Sequence, residues 1–135
     1  VPAAPLAPSS PEAATEGGTH MNYVDGFVAA VPNANRDAYL AHAREAGEIM
    51  KRNGALKCVE TWGDDVPDGK VTDFNRAVQA APGETVVFSW VVWPDKATRD
   101  AGWEKMMQDE RMKDMQMPFD GKRMIYGGFE QILEL

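Results

Sequence analysis

Thr85-Val86-Val87-Phe88-Ser89-Trp90-Val91-Val92-Trp93 is an unbroken run of β-branched and aromatic residues closed by Pro94. This composition favours an extended strand, and a proline ends it because it has no backbone N–H to give to a ladder. Strand side chains alternate between faces, so Val86, Phe88, Trp90 and Val92 share one side while Val87, Val91 and Trp93 share the other. Both sides are apolar. The run therefore predicts a strand buried on two faces.

Working outward, 22–31 predicts a first strand, with Tyr23, Phe27 and Val31 on one side and Val24 and Val28 on the other. Pro32-Asn33 turns the chain, and Asn33 or Asn35 is expected to cap a helix from about Arg36 to Arg52, which Asn53-Gly54 stops. Tyr39, Ala43, Ala46 and Met50 form its apolar stripe, and Arg44, Glu45, Glu48, Lys51 and Arg52 face outward. A second strand is expected over 55–62, where Leu56, Cys58 and Trp62 share a face with Glu60. The polar connection 63–82 is too long for a plain hairpin; Val66-Pro67-Asp68-Gly69 has tight-turn chemistry, and 70–78 is expected to add a short strand. After the central run, a helix is expected over 95–108, with Asp95 near its start and with Gly102 and charged residues interrupting its stripe. Asp109 caps a further helical turn, and a last strand follows over 123–133, where Gly127-Gly128 marks a bulge or a close approach.

Strand, helix, strand, strand, helix, strand is the α+β, ferredoxin-like βαββαβ order with an antiparallel sheet. Two helices shield one face of such a sheet. Leaving the other face wet costs about 1.5 to 3 kcal/mol for each large apolar side chain, so the expectation is a two-fold homodimer with its sheets packed face to face, a dimeric α/β barrel.

Residues 1–20 are rich in Pro, Ala and Ser and lack Lys and Arg, so they read as a disordered tag or linker, with Gly17-Gly18-Thr19-His20 as a junction before Met21. Residues 21–135 read as a single domain. The formal net charge of −7 opposes binding to nucleic acid, whose affinity rests on clustered Lys and Arg. No apolar stretch approaches the roughly 20 residues of a membrane span, so no membrane partner and a cytoplasmic location are expected. The single Cys58 lacks the neighbours of a zinc site, and no metal is expected.

Four segments match a pattern in register: Tyr23-Val24-Asp25-Gly26-Phe27, the loop from Gly63 to Phe74, Val86-Val87-Phe88-Ser89-Trp90, and the closing stretch from Met117 to Glu130. Across 21–135 the chain resembles the YbaA-like bacterial family, a domain of unknown function in the dimeric α/β-barrel superfamily. The resemblance implies the fold and the dimer, and it supplies no catalytic residue set. Superfamily relatives include cofactor-free monooxygenases, isomerases, haem-degrading enzymes and stress-responsive proteins, with a pocket between helices and sheet.

Candidate site residues have competing readings. Asp64 and Asp65 are candidates for acid/base work or serve as solvated turn residues. Arg123, Arg76 and Lys70 suit an anionic ligand, or pair with nearby carboxylates. Tyr126 is a candidate proton donor or a cross-strand aromatic. His42 is a candidate base or haem ligand, or a half-buried packing residue. Trp62, Trp90 and Trp103, with Phe74 and Phe119, form an aromatic pocket or belong to the core and dimer packing. The functional lean is small-molecule chemistry without a bound cofactor, monooxygenase- or isomerase-like. The alternatives are a non-catalytic metabolite-binding or stress-associated protein, and a haem-linked function.

Overall fold

Glu84–Trp93 forms a central strand, β3, in the computed structural model, which describes residues 21–135. The expectations for 1–20 lie outside the described residues. The first strand, β1 (Tyr23–Pro32), runs antiparallel beside β3, with Tyr23 opposite Trp93 and Phe27 opposite Ser89. A strand β2 (Lys57–Trp62) flanks β3 on its other side, and β4 (Ile125–Glu130) flanks β1. The order β2-β3-β1-β4 is antiparallel throughout. It is the α+β, ferredoxin-like arrangement that the element order implied.

Two long helices, α1 (Arg36–Arg52) and α3 (Lys96–Met107), lie on the same sheet face, and short helices α2 (Phe74–Ala77) and α4 (Glu110–Lys113) sit in the connections. Ile49 of α1 and Trp103 and Met106 of α3 pack on Val91 and Trp93, while Tyr39 packs on Ala29, Val31 and Val87. Local chemistry sets the helix ends. Asp95 accepts a hydrogen bond from the Thr98 N–H at 2.7 Å and so caps α3; Asp109 likewise caps α4 through Arg111 N–H at 2.8 Å. Gly54, at φ +114°, takes the backbone turn that ends α1, where a side chain would be strained.

Several expectations are corrected. Neither Asn33 nor Asn35 caps α1: Asn33 accepts from the Thr85 hydroxyl, and Asn35 gives its amide to Pro118 O at 2.9 Å. Residues 70–78 hold α2 and no strand, because the Asp73 carboxylate accepts from Arg76 N–H at 2.7 Å and Gly69 N–H at 3.1 Å, winding the chain into a helical turn. No hydrogen-bonded turn forms over 66–69; the Gly69 carbonyl accepts from the Arg76 guanidinium at 2.6 Å instead. Gly127-Gly128 carries no bulge, since Asp25 pairs with Gly128 and Gly26 with Gly127 in unbroken register. Gly128 marks a close approach: a Cβ there would sit 2.5 Å from the Tyr23 hydroxyl and 2.8 Å from Arg99.

The sheet face away from α1 and α3 is covered in part by this chain itself. Val66, Val78 and Ala80 of the long connection pack over Val28, Ala30 and Val86. Phe88, Ile125 and Phe129 on that face stay exposed, and Phe74 of α2 joins them 6.0 Å from Phe88, ring to ring.

Candidate functional site

A cavity of about 450 Å³ opens between α1 and the sheet. Its volume falls within the roughly 300 to 1,000 Å³ of small-molecule sites. The floor comes from Phe27 and Ala29 of β1, Cys58 and Glu60 of β2, and Val87, Ser89 and Val91 of β3. These side chains share a face because paired strand residues point the same way and alternate along each strand. Tyr39, His42, Ala43 and Met50 of α1 form one wall, Trp103 of α3 another, and Met112, Met115, Met117, Phe119 and Met124 close the remaining side. The lining is mostly apolar, and its unbranched methionines adapt to irregular shapes.

Arg44, Glu48 and Lys51 of α1 add charge to the lining, and one polar cluster interrupts the floor. The Tyr39 hydroxyl donates to Glu60 Oε1, and Ser89 lies beside the same hydroxyl. Burial, followed by the Glu60 charge and hydrogen bond, raises the Tyr39 pKa well above the ordinary phenol range, so Tyr39 stays a donor. Burial also raises the Glu60 pKa, although the Tyr39 hydrogen bond opposes the shift. Glu60 is exposed to the open cavity while protein crowds its carboxyl, which combines access with a raised proton affinity. That combination suits a proton acceptor.

His42 also lines the cavity, one helical turn after Tyr39, and both rings meet Phe119 edge-on, at 6.1 and 5.8 Å between centroids. Its Nδ1 is buried without a hydrogen-bond partner among the described residues. Burial lowers its pKa, with the Glu45 charge opposing, which favours the neutral imidazole. The Cys58 thiol faces the Gly47 carbonyl at 3.8 Å, and burial raises its pKa; it is a poor nucleophile there.

His42, Trp103 and Phe119 are the sequence candidates that meet at this cavity. Arg123 lies outside it, paired with Glu84 at 2.8 Å and Asp120 at 3.0 Å. Asp64, Asp65 and Lys70 stand on the exposed connection after β2, and Arg76 pairs with Asp73 at 3.2 Å. Tyr126, opposite Phe27 in register, is half exposed on the edge strand β4 and does not line the cavity. Trp62 ends β2 beneath the Arg36 guanidinium, 5.2 Å away. Phe74 and Trp90 lie on the opposite sheet face with Phe88. The aromatic residues thus divide between two faces, because alternation sends Trp90 away from the helices.

Tyr39 and Glu60 were not among the sequence candidates. The available signal was a carboxylate sharing a strand face with Cys58 and Trp62, where a buried or half-buried acid is uncommon. A second polar group was also missed. Asp25 is almost fully buried, and its carboxylate accepts from Arg99 at 2.8 Å and from the Trp93 and Trp103 indoles at 2.9 and 2.8 Å. Arg99 pairs further with Asp100 at 3.1 Å. Two of the charges that interrupt the apolar stripe of α3, Arg99 and Asp100, therefore point inward, and Asp25 fixes the Trp103 wall.

Among the described residues, no group of three or more His, Cys, Asp and Glu is placed to hold a metal ion, and no helix is long and apolar enough to cross a membrane.

Residues 22–121 match the model of a family described as a protein of unknown function, DUF1428. The chain is 59% identical over 116 residues to the uncharacterized protein YbaA of Escherichia coli strain K12, covering 84% of this chain and 99% of that relative. YbaA of Shigella flexneri matches with the same identity and coverage. These matches bear out the YbaA-like resemblance. A solved structure of a dimeric ferredoxin-like protein from an uncultured marine organism superposes with a TM-score of 0.52 at 12% identity, covering 85% of this chain and 99% of that one. That likeness supports the fold.

Proposed function

Because this chain belongs to the DUF1428 family of proteins of unknown function, we propose its role from the cavity itself: it binds a small, mainly apolar organic molecule and transfers a proton on it. The observation that carries this reading is the Tyr39–Glu60 pair at the floor of a mostly apolar cavity. Glu60, with its raised proton affinity, takes a proton from an activated C–H or O–H of the ligand. The electron pair stays on the ligand as an enolate-type anion, and the protonated carboxyl returns the proton at another atom, as in an isomerisation. Tyr39 holds Glu60 in place. The step requires no cofactor beyond these side chains, and the lone Cys58 fits a reducing, cytoplasmic setting.

The test is exchange of ligand hydrogen for deuterium in D₂O, followed by NMR across a panel of enolisable carbonyl compounds. Exchange that the wild type catalyses and Glu60→Gln does not is the expected result. Equal exchange by both proteins would overturn the proton-transfer role. Saturable binding without exchange would favour the second reading, metabolite capture without turnover, which the adaptable methionine lining supports.

The exposed Phe88, Ile125, Phe129 and Phe74 motivate a homodimer through that sheet face. Light scattering of dilute protein is expected to give twice the 14.8 kDa chain mass, and Phe88→Glu is expected to return it to 14.8 kDa. A wild-type mass of one chain would rule the dimer out.

A further inference from the structure

Asn35 stands at the N-cap position of α1, yet its side chain makes no cap hydrogen bond. Its amide instead reaches Pro118 O, 2.9 Å away, in the segment that closes the open side of the cavity. Residues 116–120 donate no hydrogen bond to any other backbone group, so little regular structure holds them. Met115, Met117 and Phe119 anchor this segment by pointing into the cavity. Phe119 lies against Tyr39 and His42, so the anchoring contacts border the polar cluster.

We propose that residues 115–119 form a lid over the cavity, hinged at Asp120, which Arg123 holds, and latched by Asn35, and that opening it admits the ligand; the ligand's part in this rests on the function proposed above. Two features make the closed state readily reversible. Adaptable thioethers and one aromatic ring seat the lid, and the latch is a single hydrogen bond. The buried Nδ1 of His42 would be uncovered by opening.

Asn35→Asp removes the latch. Aspartate caps a helix as well as asparagine does, but an ionised carboxylate cannot donate to Pro118 O. Limited trypsin digestion reads lid opening at the exposed Arg111 and Lys113, beside the lid, against Arg44 and Lys51 within α1. Loss of one hydrogen bond is expected to speed cleavage at Arg111 and Lys113 by about two- to tenfold, with cleavage at Arg44 and Lys51 unchanged. Unaltered cleavage at every site, or an equal increase at all four, would overturn the lid. Entry of the neutral fluorophore N-phenyl-1-naphthylamine, followed by stopped flow, is expected to accelerate by a similar factor. If the fluorophore does not bind, the small-molecule reading is weakened, while the trypsin result still decides the lid.

Discussion

The Tyr39 hydroxyl donates a hydrogen bond to the Glu60 carboxylate across the space between α1 and β2. A helix residue and an edge-strand residue are thereby joined inside an apolar cavity, where the carboxylate keeps access to solvent. Burial dominates its titration and raises its pKa above the ordinary 4.5.

The sign of the resulting pH dependence follows from that shift. A carboxyl with a raised folded-state pKa contributes stability that is fully present below the unfolded value and is lost as pH rises through the folded value. Carbon-13 NMR of Glu60 is expected to show a midpoint above 4.5, and Glu60→Gln to remove that decline in stability. A midpoint at or below 4.5 would contradict the environment described for this group.

The ion pair between Glu84 and Arg123 behaves in the opposite way. Hydrogen bonds from Arg123 and from the Ala81 N–H lower the Glu84 pKa from 4.5 to about 2. Stability from this pair is present above 4.5 and is lost as pH falls toward about 2. Thermal unfolding of Glu84→Gln is expected to be less sensitive to acid across that window than unfolding of the wild type.

Asp25→Ala removes the common acceptor of Arg99, Trp93 and Trp103. It leaves a guanidinium and two indole N–H groups buried without that partner, which predicts a loss of about 3 to 5 kcal/mol in denaturant unfolding. Tryptophan fluorescence is expected to change with it, because Trp103 loses its anchor at the cavity wall. A loss below about 1 kcal/mol would show that the cluster relaxes or hydrates.

Gly102→Ala tests the seam between α1 and α3. An added Cβ would lie 2.8 Å from the Asn53 carbonyl oxygen and 2.8 Å from the Trp93 ring. One contact is backbone and the other a fully buried indole, so neither yields easily. A loss of about 1 to 3 kcal/mol is expected in chemical denaturation.

Much of this architecture was legible because it is periodic. Alternation in Thr85–Trp93 disclosed two apolar faces, and the stripe of Tyr39, Ala43, Ala46 and Met50 disclosed α1 with its observed limits. Local patterns failed where a side chain chose a distant partner. Asn35 reads as a cap but serves Pro118, and Asp25 reads as a polar strand residue but joins Arg99 across 74 positions. The site was legible only in part. Glu60 shares its strand face with Cys58 and Trp62 but is not marked as a site residue by the sequence, because its pairing with Tyr39, 21 positions away, depends on how α1 folds back over β2. The aromatic residues read as one set, whereas alternation along β3 sends Trp90 to the sheet face opposite the one that Trp103 and Phe119 cover.

Ligand binding to a cavity-filled variant tests the small-molecule reading most directly. Ala43 faces the cavity from α1, and Ala43→Phe would occupy its space while leaving Tyr39 and Glu60 intact. In a thermal-shift screen of small apolar carbonyl and hydroxyl compounds, saturable stabilisation is expected for the wild type and not for Ala43→Phe. Equal stabilisation of both proteins, or none of the wild type across the panel, would contradict a ligand site between α1 and the sheet.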